Sequence, residues 1–443
     1  MYPLRPLKVY AHESVQDDPR QVRRMERMLA AVTPADGKVV WINDGNMGDV
    51  ARELVTLWAE AEKPDDVPAG YLRPLLFTKL SVAEEPQPID DVMARLGEGV
   101  PEGVINHILG NFKPIQEYHR YANDYQQNRV CWPTWDFGTM VGCPHGCRYC
   151  GFGKSGAYIT VATNLEEYMD VVVPRTIAQF PWQKCFRMIG WSGDEITLEP
   201  EHGTFELFLK KLAEHDRYGY FHTAGSNVDW IADLPNRERL IGIFSITTET
   251  IARDIEKGTG HAFDRFDAGR KLNEMGVSVR YKFKPTIPIR NWREEYARAI
   301  EYALSVSKPE SLGFGVIMWM SLEAVGQRLD GLDMLDPEFV KAAQDAAEEM
   351  EGNVVAPFPH HVRKEIYQHL IREARKWSKD VKLFLSTESR EMWDELKDEL
   401  GQDPRAFLCG CSPVAPPGGK LTMTQGCPYS TYKEFEGHAE GCG

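Results

Sequence analysis

The chain has 443 residues, of which 42% are hydrophobic, and a formal net charge of −15. That length suits about two or three domains, or one large barrel with additions, and the acidic balance disfavours duplex DNA as a substrate because DNA binding relies on Lys and Arg. No apolar run reaches bilayer length and residues 1–13 lack a signal-peptide pattern, so we expect a cytoplasmic protein with no membrane partner.

The N-terminal region, residues 1–115, is predicted to form a small α/β unit. Strands are predicted at 7–12 and 38–42, and a helix at 19–33, where apolar residues recur at helical spacing. The stretch 62–114 is rich in Pro, Gly and acidic residues, so an irregular connection with short helices is expected there.

From Thr134 the pattern changes to strands that alternate with amphipathic helices, which predicts βα units around a parallel sheet. The predicted strands are Thr134–Met140, Cys185–Ile189, Gly219–Ala224, Leu240–Thr247, Val277–Lys284 and Leu312–Met318. The predicted helices are Leu165–Gln179, Gly203–His215, Ala262–Met275 and Trp292–Ser305. Six units are too few for a closed eight-stranded barrel, so residues 116–330 are predicted to form a partial (β/α)6 barrel.

Residues 331–404 are predicted to form a C-terminal region of helices and one strand. The helices are expected at Pro337–Glu351, His360–Trp377 and Glu391–Leu400, and the strand at Lys382–Ser386. The last predicted unit is a cysteine-rich C-terminal extension at 405–443, which has no periodicity. We expect this extension to pack little apolar core and to need another interaction to order it.

Three cysteines follow the first predicted barrel strand closely, in the segment Cys143-Pro-His-Gly-Cys147-Arg-Tyr-Cys150. Thiolates suit iron–sulfur clusters, and the three that a C-x3-C-x2-C spacing supplies leave one iron of a [4Fe–4S] cluster open. The C-terminal end of a strand is also where α/β sheets place their ligand sites. A zinc site is the alternative, with His145 or a distant residue as its fourth ligand.

This spacing, with Tyr149 before the last cysteine, resembles the radical S-adenosylmethionine (SAM) superfamily. The resemblance implies that Cys143, Cys147 and Cys150 hold a [4Fe–4S] cluster, that SAM binds its open iron, and that Tyr149 lies near the SAM adenine. It also implies that the segment Ser192-Gly193-Asp194-Glu195 receives the SAM amino group. The alternative for that segment is an ordinary turn between a strand and a helix.

A longer stretch, roughly residues 130–300, resembles the spore photoproduct lyases, which repair a thymine dimer in DNA with a SAM-derived radical. The similar segments are 155–164, 186–194, 228–229, 244–246, 257–259 and 292–296. The resemblance implies that Ser245 contacts SAM and that Tyr149 matches one of the two tyrosines near the radical relay of the lyase. For Ser245 the alternative is an ordinary serine at the end of a strand.

The departures from the lyases indicate a different substrate. Their hydrogen-donor cysteine falls at Gly190, their second tyrosine at Gly151, and a lysine of their third strand at Ala224. We therefore expect the same activation of SAM without the same repair reaction. Cys185 is a candidate for a displaced hydrogen donor, and a merely buried thiol is the alternative.

The C-terminal extension contains four more cysteines, Cys409, Cys411, Cys427 and Cys442. A second, auxiliary [4Fe–4S] cluster would use all four and would order the segment, and structural zinc would do the same. Surface thiols, with a redox disulfide between Cys409 and Cys411, are the third interpretation.

The predicted function is that of a radical SAM enzyme, an oxidoreductase, lyase or transferase, in which a 5′-deoxyadenosyl radical abstracts hydrogen from the substrate. A flavodoxin or ferredoxin would supply the electron, and a small molecule or a peptide is favoured over duplex DNA as substrate. Lys282, Lys284 and Arg290 could hold an anionic substrate or the SAM carboxylate, unless they form a solvated basic strand end. The alternatives are lyase-like repair of DNA photoproducts and a non-enzymatic, zinc-stabilised binding protein.

Overall fold

A computed structural model describes residues 1–33, 37–118, 121–150, 157–190, 193–351 and 357–432, which form helices and mainly parallel strands. The strands are β1 (Val9–His12), β2 (Val39–Ile42), β3 (Leu75–Thr78), β4 (Ile115–Tyr118), β5 (Thr134–Phe137), β6 (Met140–Val141), β7 (Ile159–Ala162), β8 (Cys185–Arg187), β9 (Tyr218–Thr223), β10 (Leu240–Ser245), β11 (Ser278–Thr286), β12 (Ser311–Val316) and β13 (Lys382–Leu385). The α-helices are α1 (Pro19–Leu29), α2 (Met47–Glu60), α3 (Asp90–Leu96), α4 (Glu102–Ile108), α5 (Tyr121–Gln126), α6 (Leu165–Gln179), α7 (Thr204–Glu214), α8 (Glu249–Asp254), α9 (Asp264–Glu274), α10 (Trp292–Val306), α11 (Leu322–Leu329), α12 (Pro337–Asp345), α13 (Ala347–Met350), α14 (His360–Trp377) and α15 (Arg390–Leu400). None of the helices in these ranges is both long and apolar enough to cross a bilayer.

The N-terminal residues contribute to a five-stranded sheet with the order β2-β1-β3-β7-β6. Its first four strands run parallel, and β6 pairs antiparallel with β7. Alternate residues of one strand face opposite sides, so Val9 packs in the apolar cluster of α1 and Tyr10 in that of α2 and α4. The sheet is therefore covered by helices on both faces.

The prediction of an irregular connection over 62–114 is wrong at Leu75–Thr78, which form the central strand β3. All four residues are buried. A strand that is buried on both faces shows no alternation of apolar and polar residues, so the period of two that marks an exposed strand is missing.

The main sheet has six parallel strands in the order β13-β12-β11-β10-β9-β8. One face is covered by α7, α9, α10 and α14 through a large apolar core that includes Phe208, Leu272, Ile300 and Tyr367. The opposite face, here named the cavity face, carries polar side chains near the C-terminal ends of the strands. The predicted α/β class with parallel sheets is confirmed, and β13 continues the sheet beyond residue 330.

The predicted strand Thr134–Met140 is divided in the structure. Its first part, β5, pairs antiparallel with β4 and touches the main sheet through a single parallel bridge between Phe137 and Met188. Its second part, β6, lies at the edge of the N-terminal sheet. Gly138 separates the two parts, and a Cβ atom there would lie only 2.6 Å from the carbonyl oxygen of Ile189. The prediction that the cysteine cluster follows a strand of the main sheet is therefore wrong.

The described part of the C-terminal extension, residues 405–432, is here named the tail, and it packs on the cavity face at the N-terminal ends of the strands. The backbone N–H of Cys185 donates to the carbonyl of Pro413 at 2.9 Å, and Arg280 donates to the carbonyl of Ala415 at 2.7 Å. Val414 and Ala415 are completely buried. The expectation that this segment packs little core is wrong for the tail, because buried donors of the sheet satisfy its backbone carbonyls.

Candidate functional site

A cavity of about 230 Å³ lies at the C-terminal ends of β8, β9, β10 and β11. The thiols of Cys143, Cys147 and Cys150 line it from the segment 143–150, here named the cysteine loop. Side chains of the sheet and its loops line the rest, including Arg187, Asp194, His222, Ser245 and Lys284. The structure thus brings the three predicted cluster ligands together with polar groups of the main sheet.

The N-terminal region holds the cysteine loop from one side. Gly70 lies so close to Pro144 that a Cβ atom would be 2.0 Å from the Pro144 carbonyl oxygen. The guanidinium of Arg73 donates to the carbonyl of Cys143. Only a residue without a side chain allows this approach, which is why the loop packs on Gly70.

The segment after β10 holds the loop from the other side. The backbone N–H of Arg148 donates to the carbonyl of Ile255 at 3.1 Å, and Nδ1 of His145 lies 3.0 Å from the carbonyl oxygen of Gly258. Arg328 of α11 donates to the carbonyl of Tyr149 at 2.6 Å. With its backbone fixed on both sides, the loop holds its thiols towards the cavity.

The chemistry of the three thiols fits a metal cluster. Burial and the nearby Asp194 carboxylate raise the pKa of Cys143 to about 12, and burial raises the pKa of Cys147 well above its usual value. Such thiols remain protonated at neutral pH unless the positive charge of a metal stabilises the thiolate. The buried guanidinium of Arg73 interacts electrostatically with all three and adds to that stabilisation.

A single zinc ion fits less well than a cluster. Among the described residues, no three Cys, His, Asp or Glu side chains are grouped closely enough to hold one metal ion. A cluster does not need such a group, because each of its thiolates binds a different iron. His145, the predicted fourth zinc ligand, has both ring nitrogens engaged, with Nε2 lying 2.9 Å from the Asp194 carboxylate.

Tyr149 lines the cavity between two of the thiols, and its hydroxyl is anchored in a buried network. The hydroxyl donates to Oε1 of Glu256, while Oε2 of Glu256 pairs with Arg265 at 2.5 Å and accepts from Thr247 at 2.9 Å. Glu256 and Arg265 are completely buried. Burial and the Glu256 carboxylate raise the pKa of Tyr149 well above its usual value, so the phenol stays neutral.

Asp194 lines the cavity, and one of its carboxylate oxygens has no hydrogen-bond partner among the described residues. Its Oδ2 accepts from Thr223 at 2.7 Å and from the N–H of Ala224 at 3.2 Å, and it lies next to His145. Its Oδ1 is buried and has no hydrogen-bond partner within the described ranges. A buried carboxylate oxygen without a donor is costly, so this atom is suited to accept from a bound ligand.

The other residues predicted to bind SAM divide into two groups. Gly193 and Ser245 line the cavity, and Oγ of Ser245 lies 2.9 Å from Nε2 of His222. Glu195 is turned away from the cavity, because its carboxylate accepts from the backbone N–H and the hydroxyl of Thr139. Ser192 lies outside the described residues.

The structure places the predicted donor Cys185 and the predicted second cluster away from this cavity. Cys185 is buried at the start of β8 in a small apolar cluster with Cys411, and burial raises its pKa to about 12. Cys409 and Cys411 line a space of about 10 Å³ together with Cys131, which is no larger than the space that one water molecule needs. Cys427 does not line this space, and its thiol donates to the carbonyl of Pro428.

Cys442 lies outside the described residues. The other three predicted ligands of the auxiliary cluster are not assembled around one space. Contacts with the main sheet order the described tail, and the auxiliary cluster stays a prediction.

One known family matches the part of the chain that contains this arrangement. Residues 138–303 match the family model of the radical SAM superfamily. The match begins just before the cysteine loop and ends in α10, so the matched segment contains the cavity-lining thiols, Asp194 and Ser245. A search of curated proteins returned no match.

Solved structures with a similar fold include several of spore photoproduct lyase. The lyase complexed with dinucleoside spore photoproduct has a TM-score of 0.57 and 14% identity, with 87% of this chain and 99% of that chain covered. A mutant with bound AdoMet and the same dinucleoside has a TM-score of 0.57 and 13% identity, with 87% and 99% covered. At this identity the comparison shows a shared fold, and the fold and the family match together support radical SAM function.

Sequence reasoning missed the residues that hold the cysteine loop and its surroundings in shape around the cavity. Gly70 and Arg73 lie far from the cysteine motif in the sequence, within a segment predicted as an irregular connection. Glu256 and Arg265 are charged residues that a sequence pattern places on an exposed surface, yet both are buried. The one available signal was the segment Lys257-Gly-Thr259, noted for its resemblance to the lyases.

Proposed function

We propose that the chain is a radical SAM enzyme whose cavity binds a [4Fe–4S] cluster, SAM and a small substrate. The observation that carries the proposal is that three thiols and Asp194, whose Oδ1 has no hydrogen-bond partner among the described residues, line one cavity at the C-terminal ends of a parallel sheet. With cluster and SAM bound, the chemistry supplied would be one-electron cleavage of SAM to methionine and a 5′-deoxyadenosyl radical that abstracts hydrogen from the substrate.

The residues of the chain would bind and orient these groups. Cys143, Cys147 and Cys150 would ligate three irons, and Asp194 would accept a hydrogen bond from the SAM ammonium through Oδ1. Ser245, held by His222, would donate to or accept from the SAM ribose. Gly193 would let the segment that carries Asp194 pack against the residue before the cysteine loop, since a Cβ atom there would lie 2.7 Å from the carbonyl oxygen of Gly142.

Several residues would keep the site dry and its charges fixed. Tyr149 covers the cavity beside two of the thiols and stays neutral because Glu256 accepts its hydroxyl proton in a hydrogen bond. His145 joins Asp194 to the carbonyl of Gly258, which fixes the orientation of the carboxylate. Exclusion of water strengthens these interactions and protects a reactive radical from side reactions.

The test is anaerobic reconstitution of the full chain with iron and sulfide, followed by reduction with dithionite in the presence of SAM. We expect about four irons per chain and the formation of 5′-deoxyadenosine and methionine. Cys147→Ala should lose both, whereas Cys427→Ser, outside the cavity, should keep both. Reconstituted protein that binds iron yet forms no 5′-deoxyadenosine would refute the proposal. The physiological reductant would be a flavodoxin or a ferredoxin.

Repair of DNA photoproducts is a second candidate, because the similar fold belongs to a lyase that has been seen with dinucleoside spore photoproduct. The cavity argues against it at Gly190, where the lyases place their donor cysteine by the sequence resemblance. A Cβ atom at Gly190 would lie 2.2 Å from Cγ of Met140 and 2.8 Å from its carbonyl oxygen, so a cysteine does not fit there. UV-irradiated oligonucleotide added to the reaction should therefore remain unrepaired.

A further inference from the structure

Two lysines of β11 lie on the cavity face without an acidic partner. Lys282 is only 6% exposed, and Lys284, two residues on, lines the cavity. Residues two apart in a strand point to the same face, so both ammonium groups belong to the same interior. Buried cations are normally paired, because removing a charge from water is costly.

The contacts of both ammonium groups are with neutral atoms. Nζ of Lys284 donates to Oγ1 of Thr387 at 3.0 Å and to Oγ of Ser386 at 3.2 Å, and it lies 5.0 Å from the centre of the Trp319 ring. Nζ of Lys282 lies 3.8 Å from Sγ of Cys411. Within the described ranges neither lysine forms an ion pair with a carboxylate.

The acidic groups of this face are already committed to other cations. Asp136 pairs with Arg187, and Glu310 pairs with Arg280 at 2.7 Å. Lys284 therefore brings to the cavity an amino group that pairs with no carboxylate of the described residues, and Lys282 lies behind it on the same face. An anionic group is the ligand that such a site would attract.

We infer that Lys284, with Lys282 behind it on the same strand, forms an anion-binding end of the cavity and that the substrate is a small organic anion with a carboxylate or a phosphate group. The inference rests on the proposed function in so far as the bound molecule is called a substrate.

Two further features of this end agree with a binding site. Burial, with the neighbouring Lys282, lowers the pKa of Lys284 to about 7. The charged form of Lys284 is therefore destabilised in the free protein, and a bound anion would stabilise it. Thr387 has a φ of +64°, a conformation that is rare for a β-branched residue. Strained residues of this kind cluster at ligand sites, and here the strain holds the Thr387 hydroxyl beside Lys284.

The test measures binding of two probes, inorganic phosphate and succinate, to the reconstituted full chain. Trp319 reports on the site, because an anion that draws Lys284 away from its ring should change the tryptophan fluorescence. We expect saturable binding that Lys284→Gln weakens by about tenfold or more and that Lys282→Gln weakens less. Lys376→Gln removes an exposed lysine that pairs with Glu373 and should bind like the unaltered chain. Stronger binding of one probe would identify the anionic group.

Three results would overturn the inference: binding of neither probe, equal binding by the Lys284→Gln variant, or complete displacement of the probe by S-adenosylhomocysteine. The last would assign the lysines to the SAM carboxylate. The melting temperature of each variant distinguishes misfolding from loss of the binding site. Neutralising a lysine that has no carboxylate partner should leave the melting temperature unchanged or raise it. If it falls markedly, the lysine has a structural role and the inference fails. Formation of 5′-deoxyadenosine, measured in parallel, tests the proposed function independently of probe binding.

Discussion

Replacement of Glu256 by Gln should lower the free energy of unfolding by about 3–5 kcal/mol. The reason is the environment of the carboxylate, which is completely buried and bonded to Arg265 at 2.5 Å and to the hydroxyls of Tyr149 and Thr247. An amide keeps the shape but removes the charge, so Arg265 is left as a buried cation with only neutral acceptors. Such a residual charge costs far more than the loss of one hydrogen bond.

The same reasoning predicts a strong coupling between the two charged residues. In the variant that combines Glu256→Gln with Arg265→Met, no unpaired charge remains, so the double substitution should cost less than the sum of the two single ones by about 2–3 kcal/mol. Urea titrations followed by circular dichroism and by tryptophan fluorescence provide the free energies, and agreement of the two probes checks that unfolding is cooperative.

A surface ion pair provides the matched control. Asp254 bonds Arg253 at 2.8 Å in a pair that is largely exposed, so Asp254→Asn should leave stability almost unchanged. A cost of less than about 1 kcal/mol for Glu256→Gln, or strict additivity in the double variant, would refute the interpretation of this network as a buried, charge-balanced anchor. The iron content should fall with stability, because Tyr149 lies between two cluster ligands.

Three further outcomes follow from the structure. Burial raises the pKa of Glu195 to about 8, so the folded chain keeps a proton that the unfolded chain releases above about pH 4.5. The free energy of unfolding should therefore fall as the pH rises to about 8. Urea titrations at several pH values would measure this fall, and Glu195→Gln should make it smaller. Gly70→Ala should reduce the iron retained after reconstitution, because its Cβ atom would lie 2.0 Å from the Pro144 carbonyl oxygen, whereas Gly103→Ala, with nothing within 4 Å, should not. Combined Cys409→Ser and Cys411→Ser should leave the iron content at about four per chain, and a fall from about eight to four would show that a second cluster is present after all.

Local patterns in the sequence were sufficient where structure depends on local periodicity. Helices α6 and α14 have the predicted limits, Leu165–Gln179 and His360–Trp377. The strands of the main sheet were each placed within a few residues, because apolar runs bounded by turns alternate regularly with amphipathic helices. The cysteine spacing likewise predicted the three thiols that line the cavity.

The errors arose where long-range packing decides the structure. The tail was expected to need a metal site because it lacks apolar periodicity, but Arg280 and the N–H groups at the start of β8 bind its carbonyl groups. No local sequence pattern predicts that a buried arginine will bind the backbone of residues more than a hundred positions away in the chain. Long-range pairing also divides the predicted strand Thr134–Met140. Its first part pairs with β4 and its second part with β7, which belong to two different sheets.

These long-range contacts let the N-terminal sheet help to position the cysteine loop. Gly70 and Arg73 hold the cysteine loop from that sheet, while Glu256 and Gly258 hold it from the main sheet. A cluster bound by the loop would therefore stabilise the contact between the two sheets, because a ligand that binds only the assembled site stabilises that assembly by mass action. Reconstituted protein should accordingly melt at a higher temperature than the apoprotein, and Arg73→Met should reduce the difference. If Arg73→Met left the difference unchanged, the loop would owe its position to the main sheet alone.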